Sequence, residues 1–174
     1  CRYRTCVDGL KVDFVVKDLV LQQVDQGLYA LTDTLGFVLS GNAEYESFDK
    51  SVINPDVTIE QLLTMTSGIR NIDDYSRKEY TELQASPNWE PAGIVRLVTT
   101  DFEEPGRFEY SNTNSMLLGL IAEHKGELPL AHLYKSQLLD PIGVIAILLP
   151  QDQAPPNTAR PYSDLTRWGG VGFG

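Results

Sequence analysis

Basic residues are in short supply: 14 Lys and Arg stand against 24 Asp and Glu, a formal charge of −10. That balance excludes a nucleic-acid binder working by bulk electrostatics, because phosphate contacts need clustered Lys and Arg. Only two cysteines occur, Cys1 and Cys6, too few and too close for a four-ligand zinc site. Three readings of them stay open: a small disulfide loop, two free thiols, or a lipid-modified Cys1 at the mature start of an exported protein. No signal-like segment with a basic start and an apolar stretch precedes them. Long hydrophobic runs are missing too. The longest, Ile142 to Leu149, falls far short of the ~20 residues that cross a bilayer, so no transmembrane segment is expected. Internal repeats and low-complexity tracts are absent. The 174 residues are 42% hydrophobic and 22% charged, which is the make-up of one globular domain.

Helical spacing is the dominant pattern. Val15, Val16, Leu19, Val20, Gln23 and Val24 predict a helix from Val15 to Gln26, stopped by Gly27. From Leu28 to Pro55 glycine, asparagine and proline interrupt any period, and loop or short extended structure is expected. Thr58 and Gln61 form a capping-box signature with a Val57–Leu62 staple, predicting a helix over Ile59 to Ser67 and a stop at Gly68. Shorter helices are expected over Ser76 to Gln84 and Pro91 to Thr100. Pro105-Gly106 forces a turn, Phe108 to Asn112 reads as extended, and Met116, Leu117, Leu120, Ile121 and His124 share a helical face closed by Gly126. Pro129 to Leu139 makes a further helix, and Pro141 is expected to hold Asp140 out of the helical region. The fold class is mainly α.

The chemistry concentrates at Tyr110-Ser111-Asn112. In an extended stretch residues two apart point the same way, so Tyr110 and Asn112 would share a cleft while Ser111 faces elsewhere. A phenol can transfer a proton and a carboxamide can both donate to and accept from a substrate amide. The same residues also fit a bland reading, with Asn112 capping the next helix and Tyr110 packed in the core. Glu103-Glu104 and Asp73-Asp74 read as solvated acidic loops, and Trp89 and Trp168 serve packing or a substrate surface equally well. His132 reads as a surface or packing residue, and the terminal glycines from Gly169 lack the context of a phosphate loop.

Tyr110-Ser111-Asn112, inside Pro-Gly-x-x-Phe-x-Tyr-Ser-Asn-x-Asn and followed by Leu117-Leu118-Gly119-Leu120-Ile121, resembles the serine β-lactamase-related superfamily. That group includes class C β-lactamases, D-alanyl-D-alanine carboxypeptidases and related esterases. Thr58 to Ile69 resembles the family's Leu-Leu-Thr-His-Thr-Ser-Gly-Leu helix, with Met65 where His is common. Leu21 to Gly27 is similar to the end of the nucleophile helix, and Leu138 to Gly143 to a Pro-Leu-Gly-Met turn.

The resemblance spans residues 15–174 and leaves 1–14 unassigned. It implies the helical domain, with its flanks, of a fold that sets an α/β sheet domain beside an all-α domain; the C-terminal strands are expected beyond Gly174. It also implies a serine hydrolase acting through an acyl-enzyme on a β-lactam, a D-Ala-D-Ala peptide or an ester, in an extracytoplasmic or envelope setting. Tyr110 is then the proton-transfer residue and Asn112 the substrate contact, with backbone N–H groups holding the oxyanion. No metal or organic cofactor is implied.

The family's nucleophile is a serine at a helix N-terminus with a lysine one turn later. Lys17 is the nearest lysine, but Phe14 stands three residues before it, and Lys17 to Gly27 is shorter than the family stretch. The nucleophile is therefore unassigned, and Lys17 is taken as the catalytic partner of Tyr110. The one literal Ser-x-x-Lys, Ser47 to Lys50, falls in the irregular segment and reads as coincidence, and His124-Lys125-Gly126 reads as a helix end. A non-catalytic relative, or a fragment that binds a partner chain through its apolar surface, is the alternative.

Overall fold

The computed structural model describes residues 10–71, 78–79, 82 and 91–143. Its elements are α1 (Leu10–Asp25), α2 (Leu35–Val38), α3 (Ala43–Glu46), α4 (Ile59–Leu63), α5 (Pro91–Val95), α6 (Asn112–Gly126) and α7 (Leu130–Leu133). A π-helical turn, Tyr134–Leu139, and a 3-10 turn, Asp140–Ile142, follow α7. Among the described residues the only β-type pairing is one antiparallel bridge between Thr34 and Thr58. The mainly α expectation therefore describes this part of the chain. Cys1, Cys6, Asp73, Asp74, Trp89, Trp168, the terminal glycines and most of the expected 76–84 helix lie outside the described residues, although Lys78 and Glu82 form a 3.1 Å ion pair one helical turn apart.

The core is built on α6. Leu117, Leu118, Ile121 and Ala122 are buried, and α1, α4, α5 and α7 all pack against this helix. It is enclosed on more than one side, so Gly119 and the polar Thr113, Asn114 and Ser115 are buried as well, which a single amphipathic stripe does not anticipate. From α1 come Val16, Leu19, Val20 and Gln23, spaced along one helical face. Gln23 is the polar member, and its Nε2 donates to the Ala122 carbonyl at 2.9 Å. The C-terminal end of α6 approaches closely enough that a Cβ on Gly126 would stand 2.8 Å from Leu133 Cδ2.

Four expectations are corrected. The first helix begins at Leu10, five residues before Val15, and α4 and α5 each end several residues early, at Leu63 and Val95. The segment read as loop contains α2 and α3, each only one turn long, capped by the side chains of Thr34 and Asn42. The first donors of α2, like those of α4, find partners elsewhere in the chain. Leu35 and Gly36 donate to the carbonyls of Val57 and Pro55, while Ile59 and Glu60 donate to those of Asp33 and Leu31. Finally, Asp140 is helical, with φ −62° and ψ −42°, despite the proline after it. A 3-10 turn that accepts Pro141 in its first positions takes over from the π turn there, and Lys135 holds the Asp140 carboxylate at 2.7 Å.

The capping box at α4 forms as expected: Gln61 N–H donates to Thr58 Oγ1, and Thr58 N–H to Gln61 Oε1. Gly27 and Gly68 adopt positive φ where helix stops were expected.

Candidate active site

After α4 the chain turns through Met65, a non-glycine residue in the left-handed region with φ 58°. Side chains rarely adopt that conformation without compensation, and such strain gathers at functional sites. The compensation here is a template. The carbonyls of Met65, Thr66 and Gly68 accept from the N–H groups of Glu109, Gly106 and Glu103 at 2.8–3.0 Å, so residues 103–109 lie against 65–68. Gly68 must be glycine on two counts, since its φ is +74° and a Cβ there would sit 2.1 Å from the Glu103 carbonyl oxygen.

Arg70 ties the same two segments at the surface, pairing with Glu103 and, at 2.6 Å, with Glu109. The first turn of α6 is fastened in turn. Thr113 Oγ1 donates to the Arg70 carbonyl at 2.9 Å, and Ser67 Oγ donates to Asn114 Oδ1 at 2.8 Å.

Tyr110 and Asn112 stand at this junction. Ser111 is extended and caps α6 without a side-chain bond, and Asn112 is the first helical residue. The Tyr110 hydroxyl donates to Asn112 Oδ1 at 2.7 Å. Tyr110 is 43% exposed, so it is no core aromatic, and the cap assignment for Asn112 is replaced by Ser111. The structure thus brings the two residues together on the surface and turns Ser111 inward, where its Oγ is buried without a hydrogen-bond partner among the described residues. Phe108, two residues before Tyr110, adds an apolar face that is 68% exposed.

Other predicted residues are not brought to this pair. Lys17 lies mid-way along α1, half-buried, and among the described residues no hydrogen bond or ion pair links it to Tyr110 or Asn112. Ser47 and Lys50 are engaged separately: Ser47 Oγ donates to the Glu44 carbonyl at 2.6 Å, whereas Lys50 lies 3.6 Å over the Tyr45 ring and bonds its carbonyl. His124 and Lys125 occupy the last turn of α6, and His132 is exposed. Among the described residues no cluster of metal-ligating side chains occurs, and no helix is long and apolar enough to cross a membrane. Ser67 and Asn114, both buried beneath the pair, were missed by sequence reasoning. Their signal is a contact across 47 residues, which no local pattern carries.

Comparison with known proteins gives a consistent result. A family model described as Beta-lactamase matches residues 19–171. No curated protein sequence matches. Among solved structures, the octameric penicillin-binding protein homologue from Pyrococcus abyssi is similar at 21% identity and a TM-score of 0.53. A D-stereospecific amidohydrolase from Streptomyces sp. gives 22% and 0.59, and EstCE1, a hydrolase with promiscuous acyltransferase activity, gives 20% and 0.56. Each likeness covers 76% of this chain but only 30%, 40% and 36% of the respective neighbour, so the chain spans less than half the length of each.

Proposed function

Because this chain belongs to the beta-lactamase family, we propose that it carries part of the acyl-transfer site of a serine hydrolase, cleaving an amide or ester through an acyl-enzyme. In this reading residues 15–174 are mostly the helical domain of the family fold, and residues 1–14 stand apart. The substrate is a β-lactam, a D-Ala-D-Ala peptide or an ester, and the setting is extracytoplasmic. The observation that carries the reading is the surface-exposed Tyr110–Asn112 hydrogen bond at the start of α6.

Tyr110 serves as the proton-transfer group, passing the proton of the attacking hydroxyl toward the leaving group as the carbonyl–heteroatom bond breaks. The Asn112 carboxamide orients the substrate amide, having both donor and acceptor atoms. Lys17 enters as the nearest lysine on the helix that resembles the family's nucleophile helix. Fold likeness does not choose among substrates, since one scaffold hosts several chemistries.

The test is intact-mass analysis of the purified protein before and after exposure to a penicillin and a fluorophosphonate, joined to hydrolysis of a chromogenic cephalosporin and ester. A one-equivalent adduct is expected, with Tyr110→Phe slowing turnover by about 10²–10⁴-fold. Turnover untouched in Tyr110→Phe would sink the role of Tyr110. A second reading, a non-catalytic binding module, is favoured by one observation: Ser111, between the two residues of the pair, and Ser67, bonded to Asn114, are both buried. No adduct with either probe would support it.

A further inference from the structure

We propose that Asn114, held by Ser67 and Met65, is a positioning residue that sets the Tyr110 hydroxyl against Asn112; this rests on the reading of Tyr110 as the proton-transfer group. Tyr110 lies between two attachments to one short segment. On its N-terminal side the Glu109 N–H donates to the Met65 carbonyl at 2.9 Å. On its C-terminal side the Asn114 carboxamide reaches the same segment twice, accepting from Ser67 Oγ at 2.8 Å and donating to Met65 Sδ at 3.4 Å. Ser67 Oγ also accepts from the Ile69 N–H at 3.1 Å, which orients its proton toward Asn114.

Asn114 is wholly buried and Ser67 is 1% exposed. A buried carboxamide with specific partners on both of its polar atoms has one orientation, and so fixes where the first turn of α6 begins. Met65 itself lies in a left-handed conformation, its carbonyl accepting from Glu109 and its sulfur from Asn114. Neither Asn114 nor Ser67 needs to touch substrate. Their effect passes through the separation of Tyr110 from Asn112, and a misplacement of about 1 Å at a reacting group costs on the order of 10²-fold in rate.

The experiment uses the full chain labelled with 13C at the tyrosine ring carbon bearing the hydroxyl. Loss of a signal in Tyr110→Phe assigns the Tyr110 resonance, and Asn112→Ala gives its position without the Asn112 partner. Asn114→Ala and Ser67→Ala are expected to move the Tyr110 resonance toward the Asn112→Ala value. Thr58→Ala, which weakens α4 by removing a cap, is the control for general destabilisation and should leave the resonance in place. Ser67→Ala removes one hydroxyl, so it carries the test if Asn114→Ala does not fold. An unmoved Tyr110 resonance in the folded variants would overturn the proposal, and so would an equal movement in Thr58→Ala.

The spectrum needs no turnover, so failure of the hydrolase reading shows separately, as absence of adduct and activity. Where hydrolysis is measurable, both variants should lose about 10²-fold in kcat with KM little changed.

Discussion

Gln23 and Tyr29 share a buried hydrogen bond: the Tyr29 hydroxyl donates to Gln23 Oε1 at 2.8 Å while Gln23 Nε2 donates to the Ala122 carbonyl at 2.9 Å. One side chain therefore joins α1, the turn after it and the central helix α6. Replacing Gln23 by Leu keeps the volume but leaves the Tyr29 hydroxyl, among the described residues, with only its 3.4 Å contact to the Val20 carbonyl. Urea unfolding should show a loss of about 2–3 kcal/mol for Gln23→Leu, the cost of stranding a buried donor. Tyr29→Phe should lose less, about 1 kcal/mol, because it removes the donor with its bond.

Gly68→Ala should be much worse than Gly41→Ala. Both glycines have positive φ, but a Cβ at Gly41 meets nothing within 4 Å, whereas at Gly68 it would collide with the Glu103 carbonyl. The Gly41 variant should lose about 1–2 kcal/mol, the penalty of a left-handed alanine. Gly68→Ala should lose clearly more and also displace the 103–109 segment, raising amide exchange at Glu103, Gly106 and Glu109.

Stability should fall as pH rises above about 10, the ordinary tyrosine value. Burial, followed by the charges of Glu46 and Asp56, pushes the Tyr45 hydroxyl up to about 12. Burial raises Tyr29 as well. The unfolded chain loses these protons first, so it is favoured between about pH 10 and 12, by up to about 2–3 kcal/mol for Tyr45. Because the Tyr45 hydroxyl has no hydrogen-bond partner among the described residues, Tyr45→Phe should be nearly neutral at pH 7 and should flatten the alkaline loss. Chemical denaturation from pH 8 to 12 reads both effects.

Glu127→Gly should stabilise the protein. Glu127 closes α6 in the left-handed region with φ 52°, a position where glycine avoids the Cβ penalty. The expected gain is about 1 kcal/mol, read as a shift in the urea midpoint with an unchanged slope.

Local grammar accounts for what was legible in the sequence. The Thr58–Gln61 box, the Gly27 stop and the end of α6 at Gly126 each depend on residues within a turn or two, and each formed, whereas α4 ended at Leu63, five residues before Gly68. The one-turn helix after Thr34 was not legible, because its first donors, Leu35 and Gly36, are met by carbonyls some twenty residues away. Burial of Asn114 and Ser115 was hidden for a similar reason, since several helices surround α6 at once. At the site, Tyr110 and Asn112 do meet, at 2.7 Å, with Asn112 as the first helical residue rather than the end of an extended stretch. Lys17 was chosen by similarity of its helix, and among the described residues no hydrogen bond or ion pair links it to the pair. The buried support beneath the pair depends on two segments meeting, which one segment's pattern does not encode.

That meeting has a kinetic side. The carbonyls of residues 65–68 and the amides of 103–109 are separated by roughly forty positions, so closing them is a non-local step, slower than forming a helix from neighbouring residues. A refolding chain should regain its helical signal before its Tyr110–Asn112 pair, passing through a form that is helical and compact yet has no organised site. Solvents or crowding agents that slow chain closure should therefore delay the recovery of the pair while leaving the early helical phase unchanged.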